Sequence, residues 1–294
     1  MNTSHKLLTD APFLSKLLLF IGIELLCQCL TAIFSLFLST FLSETNLLRT
    51  VLTLQNIILF ILPALCVAYL FGGNTRYYLQ AHQSPKMLPI ICVIGCMIVS
   101  IPALNGIIEW NESLILPKSL SGIENWLKAK EASAQEITEN LLQMSNVGEL
   151  LLMVLIVGVL TGIGEEFVFR GILQRLFFDK FHNPHIAVWI AALLFSAAHL
   201  QFYGFVPRML LGAFFGYLLI WSGNIWLPVI AHALNNSFSV IGAYIWGNDE
   251  ESLLDTVGTS VTTIGWFIAS TLLTIIILFF TRQILHKKRP SPTN

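Results

Sequence analysis

Apolar residues in this chain gather into runs, with polar positions confined to the gaps between them. Eight runs, roughly over 14–42, 47–71, 87–109, 149–170, 185–203, 206–222, 225–246 and 261–285, come close to or exceed the ~20 residues needed to cross a bilayer as a helix. In hydrocarbon every backbone polar group must be satisfied internally, so such runs are expected to be helices. The pattern predicts an all-α polytopic membrane protein with about eight transmembrane helices. Four regions follow: N-terminal spans over 1–110, an extracytoplasmic loop over 111–148, a helical core of spans four to seven over 149–246, and a last span with a basic tail over 247–294.

The loop is the one long polar stretch. Ile123, Trp126, Leu127, Ala134, Ile137, Leu141 and Met144 recur there at helical spacing among Lys and Glu, which predicts an amphipathic helix on the membrane surface. Ser121 and Glu124 are spaced as a capping box at its start.

Composition supports this picture. Of 294 residues, 55% are hydrophobic and 11% charged, and mean hydropathy is +0.74; an ordinary soluble chain carries about 25% charged residues. Sixteen Lys and Arg against seventeen Asp and Glu leave a net charge of −1, so no nucleic-acid surface is expected. The five cysteines lie inside apolar runs, which argues against a disulfide framework and for small hydrophobic packing residues.

Charge also orients the chain. With eight spans both termini share a side, along with Lys6, Lys16, Arg76, Lys86, Arg170, Arg175, Lys180, Arg282, Lys287, Lys288 and Arg289; Arg49, Lys118, Lys128, Lys130 and Arg208 lie on the other. The positive-inside rule then places both termini in the cytoplasm and the acidic run Asp249-Glu250-Glu251 outside. The expected location is a bacterial inner (plasma) membrane.

Charges within the spans need a reason, since each costs at least about 2.5–3.5 kcal/mol there. Glu24 is expected to pair with a polar group on a neighbouring helix, and Glu109 and Arg208 to snorkel from span ends. The rest cluster. Glu165, Glu166 and Arg170 lie in span four. Glu166 and Arg170 are four apart in the favourable order for a helical ion pair, while Glu165 points about 100° away. Arg170 therefore compensates Glu166 and leaves Glu165 free to face a cavity as a general base. Span five contributes Phe195 and His199, and span seven contributes His232 and Asn236, which share a helix face.

Together, Glu165-Glu166-x-x-x-Arg170, Phe195-x-x-x-His199 and His232-x-x-x-Asn236 resemble the motifs of the CPBP family of intramembrane proteases (CAAX proteases and bacteriocin-processing enzymes, also called Abi). The resemblance covers residues 149–246 and implies an endopeptidase acting on membrane-associated peptides or proteins. It implies that Glu165 and His199 activate a water, that His232 and Asn236 stabilise the oxyanion, and that Glu166 and Arg170 are positioning residues. A non-catalytic immunity or scaffold member of the family is the alternative, and a proton-coupled transporter a more distant one.

If a divalent metal such as zinc takes part, Glu165, His199 and His232 are its expected ligands; the preferred reading is a Glu-activated water without an obligatory metal. His182-Asn183-Pro184-His185 reads as a turn without a ligand role, Ser196 has no evident base, and Gly212-x-x-x-Gly216 reads as helix packing. One count does not close. His199 lies about 15 residues into its span and His232 about 7 into its own, roughly 12 Å apart in depth at 1.5 Å per residue, so these helices are not expected to be simple parallel rods.

Overall fold

The computed structural model describes residues 8–247, 257–259 and 263–286. Among them the structure is helical, without strands. Five helices are long and apolar enough to cross a membrane, or six when a bent pair is taken as one span. The chain is an integral membrane protein of helices. Among the described residues eight apolar helical passes are present, but two fall short of that length or hydropathy, so the expected eight spans are not eight equal rods.

Helix α1 runs Phe13–Leu38 and α2 runs Glu44–Gly72. The bent pair is α3, Met87–Val99, and α4, Ile101–Glu112, which meet at 46°. Pro102 in the first turn of α4 cannot donate to the helix, which accounts for the break. Ser270 of the last helix bridges it, donating to the Val99 carbonyl and accepting from the Ala103 amide. Helix α5, Ser121–Leu141, is the amphipathic one: none of its residues is buried, and Ile123, Trp126 and Ile137 are exposed. The capping box does not form. Ser121 already lies inside the helix, and Glu124 instead pairs with Lys128 at 2.8 Å.

Helix α6, Val147–Phe181, has 35 residues and runs well past the expected end of span four. The Asn146 side chain caps its start by accepting from the Glu149 amide. His182, with φ of 52°, ends it. Asn183 then caps α7, Pro184–Ala198, by accepting from the His185 and Ile186 amides, and Pro184 opens the first turn. At 15 residues α7 is a short apolar helix. The expected span to 203 stops early because Leu200 adopts a φ of 55°. Helices α8, Phe205–Ser222, α9, Trp226–Trp246, and α10, Ile264–His286, complete the bundle.

Helix α6 lies at the centre. Its first half packs on α9, its second half on α7, and α2 lies along its middle. One core joins Phe20 of α1, Val67 and Phe71 of α2, Phe167, Ile172 and Leu176 of α6, and Phe195 of α7. A second joins Val93 and Met97 of α3 to Phe215 and Leu218 of α8 and Leu227 and Ala231 of α9. Helices α1 and α10 are mostly unburied and apolar, with residues such as Leu25, Leu36, Ile275 and Phe280 exposed, as lipid-facing positions are. Glu24 does not find the polar partner expected for it: its buried Oε1 has none among the described residues. The acidic run Asp249-Glu250-Glu251, together with Lys6, Lys287, Lys288 and Arg289 of the charge count, lies outside the described residues.

Candidate active site

Helix α6 is not a regular α-helix where the carboxylates sit. Two widened π-type stretches, Val154–Leu160 and Phe167–Leu173, bracket the α-helical piece Thr161–Glu166 that carries them. A third, Gln55–Ile61, faces them from α2. Such turns often mark functional sites because they loosen the i→i−4 ladder and redirect side chains. Here buried side chains take up the backbone and each other. Thr161 Oγ1 donates to the Ile156 carbonyl at 3.1 Å, and Asn56 Nδ2 donates to Thr161 Oγ1 at 3.0 Å.

Glycines permit the close approach of α6 to its neighbours. A Cβ on Gly162 would stand 3.1 Å from the Ala233 backbone nitrogen of α9, one residue from His232. A Cβ on Gly164 would stand 2.9 Å from Phe60 Cβ of α2.

The two carboxylates have different surroundings. Glu166 is fully buried, and its Oε1 accepts from Arg170 Nη1 at 2.8 Å and from His232 Nδ1 at 2.8 Å. Arg170 is buried as well and donates through Nη2 to the Gly212 carbonyl at 3.0 Å. Phe195 lies 4.5 Å and Phe215 5.4 Å from its guanidinium carbon, within cation–π range. Glu165 instead lines a cavity of about 660 Å³, and its Oε2 has no hydrogen-bond partner among the described residues. His232 Nε2 is 3.7 Å from that oxygen.

The same cavity is lined by Thr161, His199, Arg208, His232, Asn235 and Asn236. It extends toward Ile108, Gly204, Trp246 and Gly247, at the end of the bundle that carries α5. His199 is the cap residue just beyond α7, and its ring folds back so that Nδ1 meets the Phe195 carbonyl at 2.8 Å. A carbonyl can only accept, so Nδ1 carries the hydrogen and a neutral His199 presents the Nε2 lone pair. The Phe195 ring packs edge-on against both His199 and His232, with centroids at 5.1 and 5.7 Å. Both histidines thus reach one cavity although the residue counts place them at different depths in their helices.

Asn236 is already engaged, donating to the Val157 carbonyl in the first widened stretch at 3.1 Å. A primary amide has two N–H groups, so one remains for another acceptor. Among the described residues no three His, Cys, Asp or Glu side chains are grouped as a site for an ion. The Nδ1 atoms of His232 and His199 bond Glu166 and the Phe195 carbonyl, which leaves each Nε2 as the ring nitrogen available to a ligand.

Elsewhere, His185 Nδ1 bonds the Tyr217 hydroxyl at 2.8 Å, and Ser196 donates to the Phe205 carbonyl at 2.6 Å. Gly212 and Gly216 do pack against α7, and their carbonyls also accept from Arg170 and Gln174. Arg208 does not snorkel outward but turns back to Gln201 and lines the cavity. Sequence reasoning missed Asn56 and Thr161, which carry no charge. It missed Phe215 too, although the glycine pair around it was a signal: Phe215 stacks on His232 at 5.2 Å.

Comparison with known proteins singles out the same part of the chain. Residues 147–238 match the family model "Type II CAAX prenyl endopeptidase Rce1-like", in agreement with the CPBP resemblance of the motifs. The Bacillus subtilis protein "Uncharacterized protein YpbD" is 31% identical over 78 residues, which is 25% of this chain and 36% of that protein. "Putative membrane peptidase YdiL", from the same organism, is 29% identical over 90 residues, 31% of this chain and 36% of that protein. The chain thus spans about a third of the length of these curated relatives. No solved structure matches.

Proposed function

We propose that this membrane protein, whose residues 147–238 are those of the Rce1-like family, is an intramembrane endopeptidase that hydrolyses membrane-associated peptides or proteins. One observation supports the reading above others: Glu165, His199, His232 and Asn236 line a single cavity, where Glu165 Oε2 has no hydrogen-bond partner among the described residues and lies 3.7 Å from His232 Nε2, while Glu166 is held by Arg170 and His232.

A water lies between the Glu165 carboxylate and His199 Nε2. As its oxygen attacks the peptide carbonyl carbon, its proton passes to Glu165. The carbonyl oxygen becomes an oxyanion that accepts from His232 Nε2–H and the second N–H of Asn236; one such donor is typically worth about 2.7–4 kcal/mol. The C–N bond then breaks, and Glu165 returns the proton to the leaving amine. For His232 to donate through Nε2 while Nδ1–H faces Glu166, its ring must be an imidazolium. The carboxylates Glu165 and Glu166 then face the cations Arg170 and His232. The reaction uses no obligatory metal.

The positive-inside rule sets both termini in the cytoplasm of a bacterial plasma (inner) membrane and opens the cavity to the extracytoplasmic side. Incubation of the purified protein in nanodiscs with a library of membrane-anchored peptides tests the activity. Cleavage is expected from the wild type and is lost in Glu165→Gln and His199→Ala; full activity in both variants would exclude the mechanism. Function retained by the same variants in cells would favour a scaffold role instead.

A further inference from the structure

Arg208 is the only Lys or Arg among the residues lining the catalytic cavity. An ionisable side chain inside a membrane bundle is costly and normally marks a site with a partner. The carboxylates of Glu131 and Glu165 act on Arg208 from beyond ion-pair distance, but its direct contacts are uncharged. Its Nη2 donates to the Gln201 Oε1 at 2.9 Å and its Nη1 approaches the Gln201 carbonyl at 3.5 Å, both uncharged acceptors. No carboxylate lies within ion-pair distance of it among the described residues. The nearby Glu131 of α5 accepts instead from Gln201 Nε2 and the Tyr203 amide, both at 3.3 Å.

These contacts fix the guanidinium rather than leave it to solvent. Glu131 holds Gln201, Gln201 holds Arg208, and Gln201 is only two residues beyond His199 in the chain. Arg208 and His199 line the same cavity, and this fixed positive charge interacts electrostatically with the water-activating histidine. Arg208 retains N–H groups that no acceptor among the described residues uses, and a planar fork of that kind suits a carboxylate.

We propose that Arg208 is a specificity-determining residue that binds a carboxylate carried by the substrate, with Gln201 and Glu131 as its positioning residues. This rests on the endopeptidase reading. The carboxylate comes from the peptide's own C-terminus or from an acidic side chain, and both present the same oxygens.

The test uses the full chain in nanodiscs of neutral lipid and quenched fluorescent peptides identified by their Glu165-dependent cleavage. Each peptide is made in three forms: with a free C-terminus, with a C-terminal amide, and with its Asp and Glu changed to Asn and Gln. Wild type is expected to show a KM about 10- to 100-fold lower for the carboxylate form it recognises, the scale of one charge-assisted hydrogen-bonded pair. Arg208→Gln is expected to lose that discrimination, with the loss on KM rather than kcat, and Arg208→Lys to keep part of it. Equal discrimination in wild type and Arg208→Gln overturns the proposal, as does an effect of Arg208→Gln that appears only with phosphatidylglycerol present and is the same for all three peptides. Thermal stabilisation by the uncleaved peptides, compared in Glu165→Gln with and without Arg208→Gln, reads binding alone. If no peptide of the membrane-anchored library is cleaved by wild type, the endopeptidase reading fails, and the same thermal comparison made with library peptides in their three forms still decides whether Arg208 selects a carboxylate.

Discussion

His232 Nδ1 and Arg170 Nη1 meet on one oxygen: each lies 2.8 Å from Glu166 Oε1. Glu166 is therefore the joint between an imidazole on α9 and a guanidinium four residues along its own helix. Removing that carboxylate leaves a buried cation uncompensated, which typically costs 3–5 kcal/mol. Glu166→Gln is expected to lower the unfolding temperature in detergent far more than Glu165→Gln, whose side chain faces the cavity. The pair Glu166→Leu with Arg170→Met removes both charges and should recover most of the lost stability without recovering activity. Thermal unfolding of the wild type and the three variants checks this, and equal losses in Glu166→Gln and Glu165→Gln would contradict it.

Contact between α6 and α9 depends on the absence of a side chain at Gly162, where a Cβ would meet the Ala233 backbone. Gly162→Ala is expected to cost about 1–3 kcal/mol, the usual scale of overpacking, and to reduce turnover by displacing His232. Gly22→Ala, which meets nothing within 4 Å, is the control and should leave both unchanged. Unfolding and turnover measured on the two variants compare the sites directly.

Thr161 both accepts from Asn56 and donates to the Ile156 carbonyl. Thr161→Val keeps the shape and removes both bonds, leaving the Asn56 amide buried without its acceptor. The expected loss is about 1–3 kcal/mol. Asn56→Leu combined with Thr161→Val should be milder than Thr161→Val alone, a ranking that denaturation in detergent can read.

Burial pushes the Tyr78 phenol up to about 12 from 10.0. Tyr78 lies in the single turn Thr75–Tyr78 between α2 and α3, outside the spans, beneath Arg175 at 4.0 Å from its ring. The unfolded chain releases this proton near 10 and the folded one near 12, so the contribution is complete below about 10 and disappears as pH rises to about 12. That contribution is about 2–3 kcal/mol. Wild-type stability should fall across that window more steeply than that of Tyr78→Phe, as parallel alkaline unfolding series would show.

A water activated by Glu165 and His199 without a metal predicts that overnight dialysis against a chelator leaves turnover unchanged. Elemental analysis of active protein should find no stoichiometric zinc. Loss of activity that added zinc restores would reverse the assignment.

The carboxylates are legible in the sequence because charge is scarce inside the spans, so Glu165, Glu166 and Arg170 stand out. The i,i+4 spacing also gives the ion pair, since a helix places those side chains side by side. The widened turns are not legible: Val154–Leu160 is an ordinary apolar run and Phe167–Leu173 differs from one only by Arg170, and the bonds to carbonyls of the first come from the neighbouring Thr161 and from Asn236 of α9. The end of α7 was likewise hidden. Only the backbone turn at Leu200 shows that His199 lies past the helix. The Ser121 and Glu124 spacing misleads because the preceding short turn Lys118–Leu120 carries Ser121 into the helix, where its hydroxyl has no free amide to cap.

The two widened stretches of α6 make one further point. Each residue of a regular helix turns the next by about 100°, so an extra residue in a turn shifts the phase of everything beyond it. With one such shift on either side, the piece Thr161–Glu166 has an azimuth of its own, independent of the ends that anchor α6 in the bundle. Deleting one residue from Val154–Leu160 should make the rod more regular and swing Glu165 off the cavity. A straighter, more ideal helix would then be an inactive one.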